Sequence, residues 1–345
     1  MIENFYKNKK VLITGHTGFK GSWLSLMLYN LNAKVSGLSD TSINSGFYSE
    51  LKKENIFQEE LIGNINDYDF LKKNILNKDF DIIFHFAAQG IVSKAKEDVN
   101  ETLMTNIFGT YNICKISNLN QNIKTLIIAT TDKVYADHND KNTEEYKLGG
   151  SEFYSASKAS SEHIINAFNN TEKRPDLNIG VVRSGNVLGG GDYGKDRILT
   201  DIITALKTNS DLHVRNPLSV RPWQYILDSL NGYLKTGLYC SRNQKDEIFN
   251  LNVELINKFT VEEIINLIVD FWNPKNKLNI KIDSNNKFLE SDILTINSEK
   301  AKKVLNWESK FNVQEMCKEI VNYEKSNQKF KWANEHVLKF LQNNQ

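Results

Sequence analysis

The sequence predicts an α/β protein: a doubly wound parallel sheet followed by a smaller, mixed C-terminal lobe. Three observations carry that prediction. Short, continuously apolar runs alternate with amphipathic stretches through the first half, as strands covered by helices on both faces require. A glycine-rich turn, Gly15-His16-Thr17-Gly18-Phe19-Lys20-Gly21, follows the first of these runs directly and opens a helix. Only four prolines occur in 345 residues, and no Gly/Ser-rich or Pro-rich stretch separates two halves. The second lobe therefore grows out of the first without a flexible linker.

In chain order, 10–14 (KVLIT) reads as a buried strand, 23–31 as a helix and 34–38 as a second strand. Residues 81–87 (DIIFHFA) form another strand, 99–119 a helix, 124–129 (KTLIIA) a strand, 154–168 a helix and 178–183 (NIGVVR) a strand. Past 189 the pattern changes. Helices are expected at 197–207, 223–238, 261–271 and 313–325, with short strands at 247–251 and 278–282. The expected division is a sheet domain over 1–188 and a substrate lobe over 189–345, with a crossing back to the sheet near 223–255.

Composition narrows the function. Forty-three basic residues against forty-two acidic give a net charge of +1, without the basic excess of a nucleic-acid or anionic-membrane binder. No apolar run reaches the length of a membrane span, and the N-terminus has no apolar segment after its charges, so a soluble cytoplasmic protein is expected. The three cysteines, Cys114, Cys240 and Cys317, are scattered and lack metal-ligand spacing, which predicts neither disulfides nor a metal site.

Three motifs carry chemistry. Gly15, Gly18 and Gly21 permit a tight turn in which backbone N–H groups and a helix N-terminus approach a pyrophosphate. Asp40, just past the second strand, is placed to bond the ribose hydroxyls of an adenosine, and no Lys or Arg occurs from 38 to 51 to receive a 2′-phosphate. That points to NAD over NADP. Thr131, Asp132 and Lys133 stand at the carboxyl end of the strand at 124–129, the edge where open parallel sheets bind ligands. Tyr154 and Lys158 are four residues apart on a helix, hence on one face, where the cation can lower the phenol's pKa.

Taken together, this glycine pattern and Tyr-x-x-x-Lys with a Thr on the preceding strand end resemble the extended short-chain dehydrogenases/reductases that act on nucleotide sugars, which have a Rossmann fold. The segments GHTGFKGSWLSL, HFAAQ, TDK, GNVLGGGD, KDR and VRNPLSVRPWQ are similar to those of the CDP-glucose 4,6-dehydratases, from about Lys9 to the segment ending at Trp307. Most sugar-nucleotide dehydratases carry Thr-Asp-Glu, so Lys133 is a marker of the CDP-sugar branch.

The resemblance implies roles. Tyr154, as phenolate, would take the proton of the sugar 4-hydroxyl while hydride passes from C4 to NAD; Lys158 would hold the phenolate and Thr131 the 4-oxygen. Lys133 would remove the acidified C5 proton, Asp132 would protonate the departing 6-hydroxyl, and hydride would return to C6. The glycine-loop residues Gly15, Thr17, Gly18, Phe19, Lys20 and Gly21 would contact the cofactor, with Asp67 at the adenine and Ala87, Ala88 and Gln89 along it, and Asn106, counted with the cofactor residues, would brace the active site from its helix. His16 would face the diphosphates or the substrate, and Asn186, Arg197, Arg215 and Arg221 would hold the substrate's diphosphate and sugar.

The implied product is CDP-4-keto-6-deoxyglucose for deoxysugars of a surface polysaccharide, made by a homodimer or larger homo-oligomer. Two other readings stand beside it: a nucleotide-sugar 4-epimerase, or dehydratase of another nucleotide sugar, on the same fold, and an NAD-binding scaffold without turnover. Asp132 with Lys133 argues against epimerisation, which needs no acid–base pair for C5 and C6. The joint presence of Thr131, Tyr154 and Lys158 argues against the scaffold.

Overall fold

Seven parallel strands make the central sheet of the computed structural model, which describes residues 2–41, 46–137, 142–253, 259–275, 277–282 and 295–344. They are β1 (Lys10–Thr14), β2 (Lys34–Ser39), β3 (Phe57–Ile62), β4 (Ile82–His85), β5 (Thr125–Thr131), β6 (Asn178–Ser184) and, after three short strands, β10 (Glu247–Leu251). Their order is β10-β6-β5-β4-β1-β2-β3. The chain winds outward from β1 through β2 to β3, then returns to place β4 on the other side of β1. That reversal opens a crevice at the carboxyl ends of β1 and β4.

The alternation of side chains explains why the runs are apolar throughout. Val11 and Ile13 of β1 enter the core on one face of the sheet, and Leu12 enters the core on the other. The same split sends Ile82 and Phe84 of β4 one way and Ile83 the other. On the first face, the helix Phe19–Asn30 is buried almost all round, because the C-terminal helix Lys329–Asn343 covers its outer side. Asn30 Nδ2 donates to Asn334 Oδ1 at 2.9 Å across that contact, and Trp23 stacks on Phe47 with ring centroids 4.3 Å apart.

The later chain divides its work. The helix Ile226–Asn243 and β10 go back to the main sheet, with β10 pairing β6 in register from Glu247↔Gly180 to Leu251↔Ser184. The lobe over the sheet edge holds the helices Ile198–Thr208 and Val261–Trp272 and two small parallel pairs. One is β7 (Val187–Leu188) with β9 (Gln224–Tyr225); the other is β8 (Leu212–Val214) with β11 (Ile280–Ile282).

Three departures from the expected elements bear on the site. The strand β3 is an edge strand with alternating half-buried and exposed residues, including Glu59 and Glu60, so no apolar run announces it. The expected helix at 99–119 is interrupted by a π-helical turn, Met104–Gly109, which holds Asn106. The C-terminal helix Lys329–Asn343, absent from the expectation, is the cover of the first core.

Candidate functional site

Two connected chambers lie along the carboxyl edge of the sheet. The first, about 690 Å³, runs from the glycine loop across the crevice between β1 and β4. The second, about 330 Å³, lies between the end of β5 and the lobe. Phe19, Lys20, Tyr154, Asp192 and Arg197 line both and form the seam between them.

The glycine loop is what the backbone demands at the first chamber. Gly15 has φ +74°, and a Cβ on it would come within 2.7 Å of the Ala87 nitrogen. A Cβ on Gly21 would sit 2.2 Å from the Gly15 oxygen, so neither position admits another residue without moving a neighbouring strand or turn. Gly18 caps the helix Phe19–Asn30 with no side chain, leaving its first N–H groups toward the chamber. Gly15, Thr17, Gly18, Phe19, Lys20, Gly21, Asp40, Ala87, Ala88, Gln89, Tyr154 and Lys158 all line this chamber, and Asp40 is exposed there beside Ser39.

The second chamber gathers Thr131, Asp132, Lys133, Tyr154, Asn186, Arg197, Arg215 and Arg221. Thr131 Oγ1 donates to Asp132 Oδ1 at 3.0 Å and accepts from the Lys133 N–H at 3.3 Å, which sets the turn that ends β5. Asp132 is buried and Lys133 half-buried. Among the lining residues the cations Lys20, Lys133, Arg197, Arg215 and Arg221 outnumber the carboxylates Asp132, Asp192 and Asp196, an excess that suits a polyanionic ligand. Arg197 is itself paired, its Nη1 lying 2.7 Å from Asp192 Oδ2.

Burial pushes the Tyr154 phenol up to about 12; hydrogen bonding with Thr131 pulls it back, the Asp132 charge raises it and Arg197 lowers it. Lys158 Nζ donates a hydrogen bond to the Ala129 carbonyl at 2.9 Å, and burial lowers its ammonium to about 8 against the pull of Glu162. The pairing expected of Tyr154 and Lys158 is thus shared: they line one chamber, but here Thr131 and Arg197 are the groups that lower the phenol. Lys20, half-buried in the seam, is lowered to about 8 by burial and by Arg197, with Asp132 acting the other way. Glu162, beneath Lys158, accepts from Thr130 Oγ1 at 2.7 Å and from Arg183 Nε at 3.0 Å, fastening the end of β5 to the helix Phe153–Thr171.

Three expected contacts are corrected. His16 lines neither chamber. It is fully buried behind the loop, with Nε2 3.0 Å from Glu60 Oε1 and Nδ1 3.0 Å from Ser39 Oγ, so it cannot face the diphosphates or the substrate. Asp67 caps the helix Tyr68–Ile75, accepting from the Phe70 N–H at 2.9 Å; Asn64 and Ile65 line the chamber instead. Asn106 stands one layer behind the wall. Its Oδ1 accepts from the Gln89 N–H at 2.8 Å, while its Nδ2 donates to the Gln89 carbonyl at 3.0 Å and to Ser157 Oγ at 2.9 Å, so it holds Gln89 in place.

Sequence reasoning passed over Ser39 and Thr41, either side of Asp40, and Asp192, which ends the GGGD run. The signal for Asp192 was present, since three glycines before a carboxylate bring the backbone close to whatever the acid serves. Among the described residues no group of His, Cys, Asp and Glu could hold a metal ion, and no helix is long and apolar enough to cross a membrane.

The chain is similar to known proteins in sequence and in fold. A family model described as GDP-mannose 4,6 dehydratase matches residues 12–320. The CDP-glucose 4,6-dehydratase of Salmonella typhimurium is 34% identical over 335 residues, covering 94% of this chain and 92% of that protein. A UDP-glucose 4-epimerase of Pisum sativum is 22% identical over 347 residues, 93% of this chain and 97% of that one. Among solved structures, the dTDP-glucose 4,6-dehydratase of Bacillus anthracis, in complex with NAD, superposes with a TM-score of 0.76 at 23% identity, covering 94% of this chain and 98% of that one. An epimerase of Methanothermobacter thermautotrophicus superposes with a TM-score of 0.81 at 20% identity, covering 98% and 96%. At these identities the structural likenesses establish the fold.

Proposed function

The chain belongs to the GDP-mannose 4,6-dehydratase family, and from that membership we propose that it is an NAD-dependent hydro-lyase that converts CDP-glucose to CDP-4-keto-6-deoxyglucose. The observation that carries the reading is the meeting of Thr131, Asp132, Lys133 and Tyr154 in one cation-rich chamber that opens onto the glycine-loop cleft. The cleft fits NAD: the close approaches at Gly15 and Gly21 leave room for a pyrophosphate at the helix N-terminus, and Asp40 offers an acceptor for ribose hydroxyls. The chemistry NAD supplies when bound is reversible hydride acceptance, from C4 first and back to C6 last.

The chain's own residues handle the protons. Tyr154 takes the proton of the 4-hydroxyl, with Thr131 holding the 4-oxygen; Lys158, tied to Ala129, keeps positive charge beside the phenolate. The C4 ketone acidifies C5–H. Lys133 takes that proton first; the C6–O bond then breaks, and Asp132 protonates the departing oxygen to release water. Lys133 then returns a proton to C5. The proton taken up by Tyr154 leaves to solvent and Asp132 takes one back from it, so hydride and protons balance and the net change is loss of one water. Arg197, Arg215 and Arg221 line the chamber where a nucleotide diphosphate would extend.

The 34% identity to the Salmonella enzyme and Lys133 in place of glutamate support CDP as the nucleotide. Met104 and Phe108, 44% and 55% exposed on the helical segment 99–119, support a homodimer across that face. The product would feed cytoplasmic synthesis of deoxysugars for a surface polysaccharide. The test is incubation with CDP-glucose without added NAD, followed by mass spectrometry and borohydride trapping. Loss of one water with a trappable 4-ketone supports the reading. An unchanged mass with NAD supplied, and with UDP-, GDP- and dTDP-glucose, overturns it; unchanged mass with altered stereochemistry identifies an epimerase.

A further inference from the structure

We propose that His16 sets the hydrogen-bonding sense of the cofactor cleft: through a fixed chain Glu60–His16–Ser39–Thr17 it makes the Thr17 hydroxyl an obligate acceptor, which takes a ribose hydroxyl and rejects a 2′-phosphate. The inference rests on the cofactor assignment above and gives the buried histidine of the glycine loop a role.

Two acceptors face the His16 ring, the Glu60 carboxylate and the Leu38 backbone carbonyl, and in a neutral ring the charged carboxylate takes the single proton. An ionised Glu60 only accepts, so His16 Nε2, 3.0 Å from its Oε1, carries the ring proton; the Tyr48 hydroxyl donates to the same oxygen. A neutral imidazole protonated at Nε2 has a lone pair at Nδ1. Ser39 Oγ, 3.0 Å away, donates its proton there. Ser39 is then left with lone pairs, which accept from the Thr17 N–H at 3.4 Å and from Thr17 Oγ1–H at 3.1 Å. Thr17 has spent its hydroxyl proton inward, so only lone pairs of Oγ1 remain for the cleft that Thr17, Ser39 and Asp40 line together.

The packing holds this arrangement. The His16 ring sits edge-on to Tyr48 and Phe57, with centroids 5.4 and 5.2 Å away. It fills the space above Gly37, where a Cβ would come within 2.3 Å of it. Burial holds its pKa below the ordinary histidine value although Glu60 pulls upward, which keeps the ring neutral. Beside Asp40, the Thr17 acceptor completes a pair of acceptors that matches the donors of a ribose diol. A phosphomonoester brings only acceptors and roughly two negative charges to the same place.

Dissociation constants for NADH and NADPH, measured by fluorescence titration, test this in wild type, His16→Phe and Thr17→Val. Wild type is expected to prefer NADH. Either variant is expected to narrow the NADPH-to-NADH ratio by about tenfold, the cost of a lost or mismatched buried hydrogen bond. His16→Phe does so because it frees the Ser39 proton for Thr17 and lets the Thr17 hydroxyl turn outward as a donor. If His16→Phe does not fold, Thr17→Val decides alone. An unchanged ratio in the folded variants, with melting temperature alone reduced, makes the chain a brace and overturns the proposal, as does a wild type without preference. A wild type that dehydrates CDP-glucose while the ratio stays fixed sinks only this inference; one that binds neither nucleotide overturns the cofactor assignment too.

Discussion

Lys158 donates to the backbone carbonyl of Ala129 across 2.9 Å, which ties the helix that carries Tyr154 to the strand that ends in Thr131, Asp132 and Lys133. The ammonium is buried, and its pKa of about 8 lies below the lysine value of 10.5. The folded state therefore binds fewer protons than the unfolded chain between those values, and stability gained from this group rises with pH across that window. Below pH 8 the full penalty is present, of order 3 kcal/mol at about 1.4 kcal/mol per unit. Lys158→Met is expected to abolish turnover yet raise the melting temperature at pH 7, with the gain shrinking toward pH 10. A gain that does not shrink would show that burial of charge is not its source.

In the proposed reaction the Tyr154 phenol ionises against a burial that pushes it to about 12, and Thr131 is one of the groups that lower it. Thr131→Val removes that hydrogen bond at nearly constant volume. The alkaline rise of kcat is expected to move to higher pH, with KM for the nucleotide sugar little changed. Tyr154→Phe should lose roughly 10²–10⁴-fold in rate at every pH, as loss of a general acid–base group does. A pH profile of kcat for both variants checks the direction; a shift to lower pH in Thr131→Val would contradict it.

Asp132 and Lys133 serve the second half of the proposed reaction only. Asp132→Asn and Lys133→Met are expected to retain oxidation at C4 while losing elimination by roughly 10²–10⁴-fold. Reduced cofactor should then accumulate on mixing with CDP-glucose, visible as near-ultraviolet absorbance, with the 6-hydroxyl still present by mass. Lys133→Met should also block exchange of C5–H with deuterated solvent, which Asp132→Asn should leave running. Loss of both the absorbance and the exchange in Asp132→Asn would place this acid in the first step.

Most of the frame was legible because its signals are local. Strands β1, β4, β5 and β6 are built on short apolar runs, β2 and β10 are short runs mixed with polar residues, and the glycine loop follows β1 without a gap. What escaped depends on packing between distant segments. β3 is half-exposed and carries glutamates, one of which holds His16 from 44 residues away. Whether His16 faces the ligand or the core is decided by the bare surface of Gly37 and by Ser39, which no spacing within the loop reveals. Asp67 resembles a binding carboxylate in sequence, but a helix starts directly after it, and its side chain serves that N-terminus. Asn106, expected among the cofactor residues, stands behind Gln89 on a π-helical turn that sequence periodicity does not show.

Arg183 and Glu162 form a buried charge pair that supports the end of β5, where Thr131, Asp132 and Lys133 stand, from below. Both side chains are almost wholly enclosed, and Arg183 also donates to the Tyr135 hydroxyl at 2.8 Å and the Glu144 carbonyl at 2.9 Å. Glu162 in turn receives Thr130, next to Thr131. Removing one member leaves the other charge without its partner in a low-dielectric interior, which costs about 3–5 kcal/mol. Arg183→Met is therefore expected to lower the urea midpoint sharply. In whatever fraction folds, it should also cut kcat more than KM, because Thr130 and the turn that follows lose their anchor. Glu162→Gln keeps the volume and some of the hydrogen bonds and should cost less in both respects. Should Arg183→Met prove as stable as wild type with normal kcat, the pair would be a neutral feature of the core, and the end of β5 would be held by its pairing with β6 and by the Lys158–Ala129 bond.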